Sequence, residues 1–131
     1  MKDRDVLRAE ALTELRQSEE LVSALRNMED ELREIDAGIA AFTSERRKRK
    51  EILRRERLAC SYAVLRSRLG RCRRALDALP PRARLLLEQM YCYQAPVLSI
   101  MDELHVEKTT FYRLHGEAVA AYVRALYGEE V

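Results

Sequence analysis

The sequence predicts an all-α protein: an amino-terminal helical hairpin or coiled coil, then a carboxy-terminal three-helix module of helix-turn-helix form. Three observations carry this. Large apolar residues recur at alternating steps of four and three along two long stretches. Only 4 Gly and 3 Pro interrupt 131 residues, and 35% of the side chains are charged while 6% are aromatic. Such a composition, rich in Ala, Leu, Glu and Arg, suits long helices rather than a sheet. The Leu79-Pro80-Pro81 step sets the expected division, with residues 1–79 in the hairpin or coiled coil and 80–131 in the helix-turn-helix domain.

The first stripe reads Leu21, Leu25, Met28, Leu32, Ile35, Ile39 and Phe42. This is the seam of a coiled coil. Ser18, followed by Glu19 and Glu20, is suited to cap its start, and Leu12 and Leu15 carry helix further upstream. A second stripe reads Leu58, Tyr62, Leu65, Leu69, Cys72, Leu76 and Leu79. Phe42 and Leu58 hold the same heptad position but are 16 residues apart. Neither whole heptads nor a three- or four-residue insertion produces that gap. Continuing the first register would also place Arg46 and Arg49 on the seam. The seam therefore breaks, and Thr43 and Ser44 are the expected turn, their hydroxyls capping the next helix. An antiparallel hairpin follows, with a long parallel dimer through residues 1–79 as the rival arrangement.

Charge is segregated along the chain. Residues 1–42 carry a net −5, residues 43–79 a net +9 and residues 80–131 a net −2, within an overall +2. An acidic arm facing a basic arm favours the hairpin. The run ERRKRKEILRRER, residues 45–57, places eight Lys or Arg in thirteen positions. Arg46, Arg47, Lys48, Arg49, Lys50, Arg54, Arg55 and Arg57 are thus candidate phosphate contacts, joined by Arg82 and Arg84. The bland alternative is a solvated helix flank. No aromatic interleaves the run, so base stacking is not expected.

The carboxy-terminal module begins with Pro80 and Pro81, which end one helix and start the next. Leu86, Met90 and Tyr93 are expected on its buried face. After Cys92-Tyr93-Gln94-Ala95, Pro96 opens a second helix with Val97, Ile100, Met101 and Leu104 on one side. His105 and Val106 form a tight turn. A third helix then turns Phe111, Leu114, Ala118, Tyr122 and Ala125 inward, with Gly128 as C-cap. Short helix, tight turn and longer helix make a helix-turn-helix pattern. Lys108, Thr109, Thr110, Tyr112, Arg113 and His115 are the candidate DNA-reading residues, five of them facing outward near the start of the third helix. Arg can fork onto guanine, and Thr can bond an acceptor or touch a thymine methyl.

The stretch LPPRARLLLEQMY and the later APVLSIMDELHVEKTTFYRLHGEAVAAYVRALYG resemble region four of bacterial sigma factors, the part that binds the promoter −35 element. They are more closely similar to the sigma-region-four-like regulators encoded by phages and prophages, of the ArpU and RinA kind. The family's leucine-proline opening falls on Leu79 and Pro80, and its second helix corresponds to Ser99-Ile100-Met101-Asp102. The resemblance covers residues 79–128, and residues 1–78 only in architecture. It implies a DNA-binding transcriptional regulator acting on double-stranded DNA, with RNA polymerase as a further partner. Glu107 stands where the family usually has a capping Ser or Thr, and His105 where it often has Gly. The low charge of this module also departs from the usual basic face. A protein-interaction module that engages polymerase or a sigma factor is the alternative.

Other functions find little support. No stretch has the roughly 18 apolar residues of a membrane span, and MKDRDVLRAE lacks a signal-peptide core, so a cytoplasmic protein is expected. Cys60, Cys72 and Cys92 are odd in number and read as reduced thiols. His105 and His115 are ten residues apart, with no paired cysteine, so no metal site, cofactor or catalytic centre is expected. Both histidines are expected at the surface, and Tyr91, Tyr93 and Tyr122 in the core or at helix interfaces. Val119, Val123 and Leu126, together with the heptads, exceed what one small module can bury, so a homodimer is expected.

Overall fold

In the computed structural model the chain is helical throughout and contains no strand among the described residues, 3–128. The outermost residues of the two expected segments, 1–2 and 129–131, lie outside the described residues. The helices are α1 (Arg4–Arg16), α2 (Ser18–Ala41), α3 (Glu45–Asp77), α4 (Pro81–Leu87), α5 (Val97–Leu104) and α6 (Lys108–Tyr127), with one π-helical turn, Glu88–Cys92, following α4. None is long and apolar enough to cross a membrane.

The chain packs as two units: Glu20–Leu69, and the described residues up to Glu19 together with those from Gly70 onward. In the first unit every residue of the Leu21-to-Phe42 stripe is buried or half-buried, with Leu25 and Ile35 most enclosed. Arg54 donates to Glu31 at 2.8 Å, Arg55 to Asp36, and the Tyr62 hydroxyl to Glu29. Partner numbers on α2 fall from Asp36 to Glu29 as those on α3 rise from Arg55 to Tyr62, so the two helices run antiparallel. Phe42, Thr43 and Ser44 connect them. The Arg47 N–H donates to the Ser44 hydroxyl at 3.4 Å, which makes Ser44 the cap of α3. Each large apolar side chain fully buried in such a seam contributes roughly 1.5–3 kcal/mol, so the seam outweighs the exposed ion pairs beside it.

The second unit differs from a division at Leu79–Pro80. Ala11 and Leu15 of α1 are fully buried in the same core as Leu86, Leu87, Tyr91, Phe111 and Tyr122. Ala75 and Leu76 bring the end of α3 into that core as well. The physical reason is α6, which buries a stripe two residues wide. Ala118, Val119, Tyr122, Val123 and Leu126 are all enclosed, and α1 lies against this helix. Val119, Val123 and Leu126 are therefore covered within the chain, and the apolar surplus that suggested a homodimer disappears. Ala125, expected inward, is exposed because the buried stripe passes on its other side. Ser18 does not cap α2; its hydroxyl donates to the Cys92 sulfur at 3.3 Å, and Gln17 alone separates α1 from α2.

Pro81 stands at the first position of α4, as its fixed φ favours. The π-helical turn after α4 overturns one expected register. The Tyr93 N–H donates to the Glu88 carbonyl at 3.0 Å, five residues back. That wider turn accommodates one extra residue. Tyr91 takes the buried place at 4% exposure, and Tyr93 points out at 60%.

Candidate nucleic-acid interface

The turn between α5 and α6 is built by backbone hydrogen bonds. His105 adopts the left-handed conformation, φ 57° and ψ 46°. Its N–H donates to the Asp102 carbonyl at 3.2 Å, and the Val106 N–H donates to the Met101 carbonyl at 3.1 Å. Those two bonds are the Schellman helix stop, which usually has glycine at the left-handed position. His105 is exposed, and three residues, His105, Val106 and Glu107, separate the helices. Glu107 precedes α6 in extended conformation, and its side chain makes no capping bond.

Ile100, Leu104 and Phe111 enter the core from the two sides of this turn. Phe111 is fully buried, which fixes the rotation of α6 about its axis. Lys108, Thr109, Tyr112 and Arg113 are consequently exposed, and the same stripe continues through Gly116, Glu117 and Ala120. Thr110 is half-buried at its edge. Arg113 approaches Glu117 only at 4.0 Å, with both side chains about two-thirds exposed, 67% and 64%. An exposed pair so long leaves the guanidinium free to reach another acceptor.

His115 does not join this outward face. It is half-buried, and its Nε2 shares a hydrogen bond of 2.7 Å with the Tyr91 hydroxyl. Its ring also stacks on Phe111 at 6.4 Å between centroids. Burial lowers the His115 pKa, with Arg8 adding to the effect, and burial raises that of Tyr91. Arg16 lies over the opposite aromatic partner, 5.1 Å from the Tyr91 centroid. His115 thus anchors α6 to the π-helical turn. Its spacing was a usable signal: it falls four residues after Phe111 and three before Ala118, on the core stripe.

The phosphate-contact candidates fall into two groups. Arg54 is engaged by Glu31 and Glu51, Arg55 by Asp36, and Arg84 by Asp77 and Glu88. Arg82 donates to the Leu104 carbonyl at 3.3 Å, and Arg47 lies over the Phe42 ring. Hydrogen bonds to Glu31 and to Glu88, and then the charge of the neighbouring carboxylates, raise the Arg54 and Arg84 pKa values respectively. Arg46, Lys48, Arg49, Lys50 and Arg57 form no ion pair among the described residues. From Asp102 to Glu117, by contrast, four carboxylates face two cations. Positive charge without an ion-pair partner is therefore concentrated on α3 rather than on α6.

No cluster of three potential metal ligands occurs among the described residues. Comparison with protein-family models, with curated proteins and with solved structures finds no match to this chain.

Proposed function

We propose that this chain is a DNA-binding transcriptional regulator of phage or prophage type, in which α5, the His105 turn and α6 act as a helix-turn-helix. The observation that carries the reading is the exposed stripe at the start of α6, set outward by the burial of Phe111 directly behind it. Arg113 would fork onto a guanine edge, Thr109 would meet an acceptor or a thymine methyl, and Lys108 would reach guanine or phosphate. Gly116 and Ala120 continue the stripe without bulk, and nothing stands within 4 Å of a Cβ built on Gly116. A helix with small residues there can lie close to a groove wall. Arg46, Arg49, Lys50 and Arg57 would supply phosphate attraction, because the reading helix lacks it.

The test compares Arg113→Ala with Arg49→Ala on preferred and scrambled duplexes across a salt series. Arg113→Ala is expected to cost about 1–3 kcal/mol on the preferred sequence and to blur one base pair. Arg49→Ala should weaken all sequences alike and reduce the salt slope by about 0.9. An unchanged affinity and preference in Arg113→Ala would transfer support to the second reading, a surface for polymerase or a sigma factor. That reading is favoured by the four carboxylates around α5 and α6 and by Leu98, which is 74% exposed.

A further inference from the structure

A cleft of about 290 Å³ lies between α4 and α6, beside the stripe assigned to DNA, with Glu117 on the border of the two. Its α6 wall is Leu114, Glu117, Ala118, Ala121 and Arg124, a single helical face. Arg82 and Ala83 of α4 form part of the other side. The space exists because Ala83, Ala118 and Ala121 stand where larger side chains would close a helix-helix contact.

Its chemistry is two-sided. The floor is alanine and leucine, and the exposed arginines Arg82 and Arg124 join the lining. Arg124 forms no ion pair among the described residues. Arg82 commits one terminal nitrogen to the Leu104 carbonyl and keeps further donors, since a guanidinium carries five N–H groups. Glu117, the one carboxylate of the lining, is nearest to Arg113 at 4.0 Å. We infer that this cleft binds a small amphipathic monoanion, an aromatic or short aliphatic carboxylate whose apolar body covers Ala83 and Ala121 and whose carboxylate meets Arg82 and Arg124. The volume is at the lower end of ligand pockets and suits roughly a dozen heavy atoms. A bare phosphate would gain nothing from the floor. A neutral ring would leave both guanidiniums unused, and planar paired recognition of a carboxylate is what arginine does best.

Naphthoate is the probe, with naphthamide as its neutral counterpart and inorganic phosphate as the bare anion, each titrated calorimetrically into the full chain without DNA. Naphthoate should saturate one site, with naphthamide and phosphate each at least about tenfold weaker. The double variant Arg82→Gln, Arg124→Gln should weaken naphthoate about tenfold. Ala121→Leu and, independently, Ala83→Leu should remove binding by filling the space, with thermal melts confirming that each variant folds. Failure of naphthoate to saturate, equal binding of naphthamide or phosphate, or undiminished binding in a folded cleft-filled variant overturns the inference. None of these readouts involves DNA, so the site stands or falls apart from the DNA-reading proposal.

Discussion

Replacing His105 by glycine should make the protein more stable. His105 is exposed and its φ of 57° is one that glycine tolerates freely. An L-residue in the left-handed region forgoes roughly 1–2 kcal/mol that glycine does not. Glycine returns about 0.4–1 kcal/mol through the greater freedom of its unfolded chain. The net expectation is a gain of about 0.5–1 kcal/mol, or roughly 2–5 °C in Tm for a chain of this length. His105→Val should move the other way, because a β-branched residue is least tolerant of positive φ. Urea unfolding of the three proteins near neutral pH, with equal m-values required, measures both differences. If the glycine variant is no more stable and valine is equally good, the turn before α6 does not have the left-handed stop described, and the placement of Lys108 to Arg113 loses its basis.

Tyr122 is fully buried, and its hydroxyl has no strong hydrogen-bond partner; burial first, then the neighbouring Cys72 thiol, raises its pKa far above the ordinary phenol range. Thiols are weak partners, so Tyr122→Phe should leave stability unchanged or raise it by about 1 kcal/mol, read by denaturant unfolding; a loss of that size would reveal a good hydrogen bond. His115 has a folded-state pKa below its unfolded value, so the unfolded chain binds the proton more readily. Its contribution is therefore intact above about pH 6.5 and is lost as pH falls through that value, at no more than about 1.4 kcal/mol per pH unit. Unfolding at about pH 7.5 and 5.5 should show a smaller acid loss in His115→Gln than in the parent chain, and equal losses would place His115 in solvent.

The local features of the fold were legible in the sequence. Alternating steps of four and three between Leu21 and Phe42 identified the buried face of α2, because heptad spacing allows few alternatives. The out-of-phase gap before Leu58 located the break, and Ser44 caps the following helix. What was not legible depended on packing between distant segments. Nothing near Leu15 announces that it shares a core with Phe111 and Tyr122, so α1 was assigned to the wrong neighbours and Val119, Val123 and Leu126 looked surplus. The π-helical turn likewise sends Tyr93 outward by one added residue, which no helical periodicity contains, while Tyr91 is buried as expected. At the candidate interface, Lys108, Thr109, Tyr112 and Arg113 are exposed as their spacing required. His115 is not: its place on the core stripe, four residues after Phe111, carried that signal, and only its partner Tyr91, on another element, was hidden.

The most direct measurement of the central claim is selection of bound duplexes from a random DNA pool by the full chain at physiological salt. A reading helix predicts a short enriched motif, and Arg113→Ala should lose discrimination at one of its positions while Arg49→Ala retains the motif at lower affinity. Recovery of DNA without an enriched motif, or an identical motif from Arg113→Ala, would contradict it.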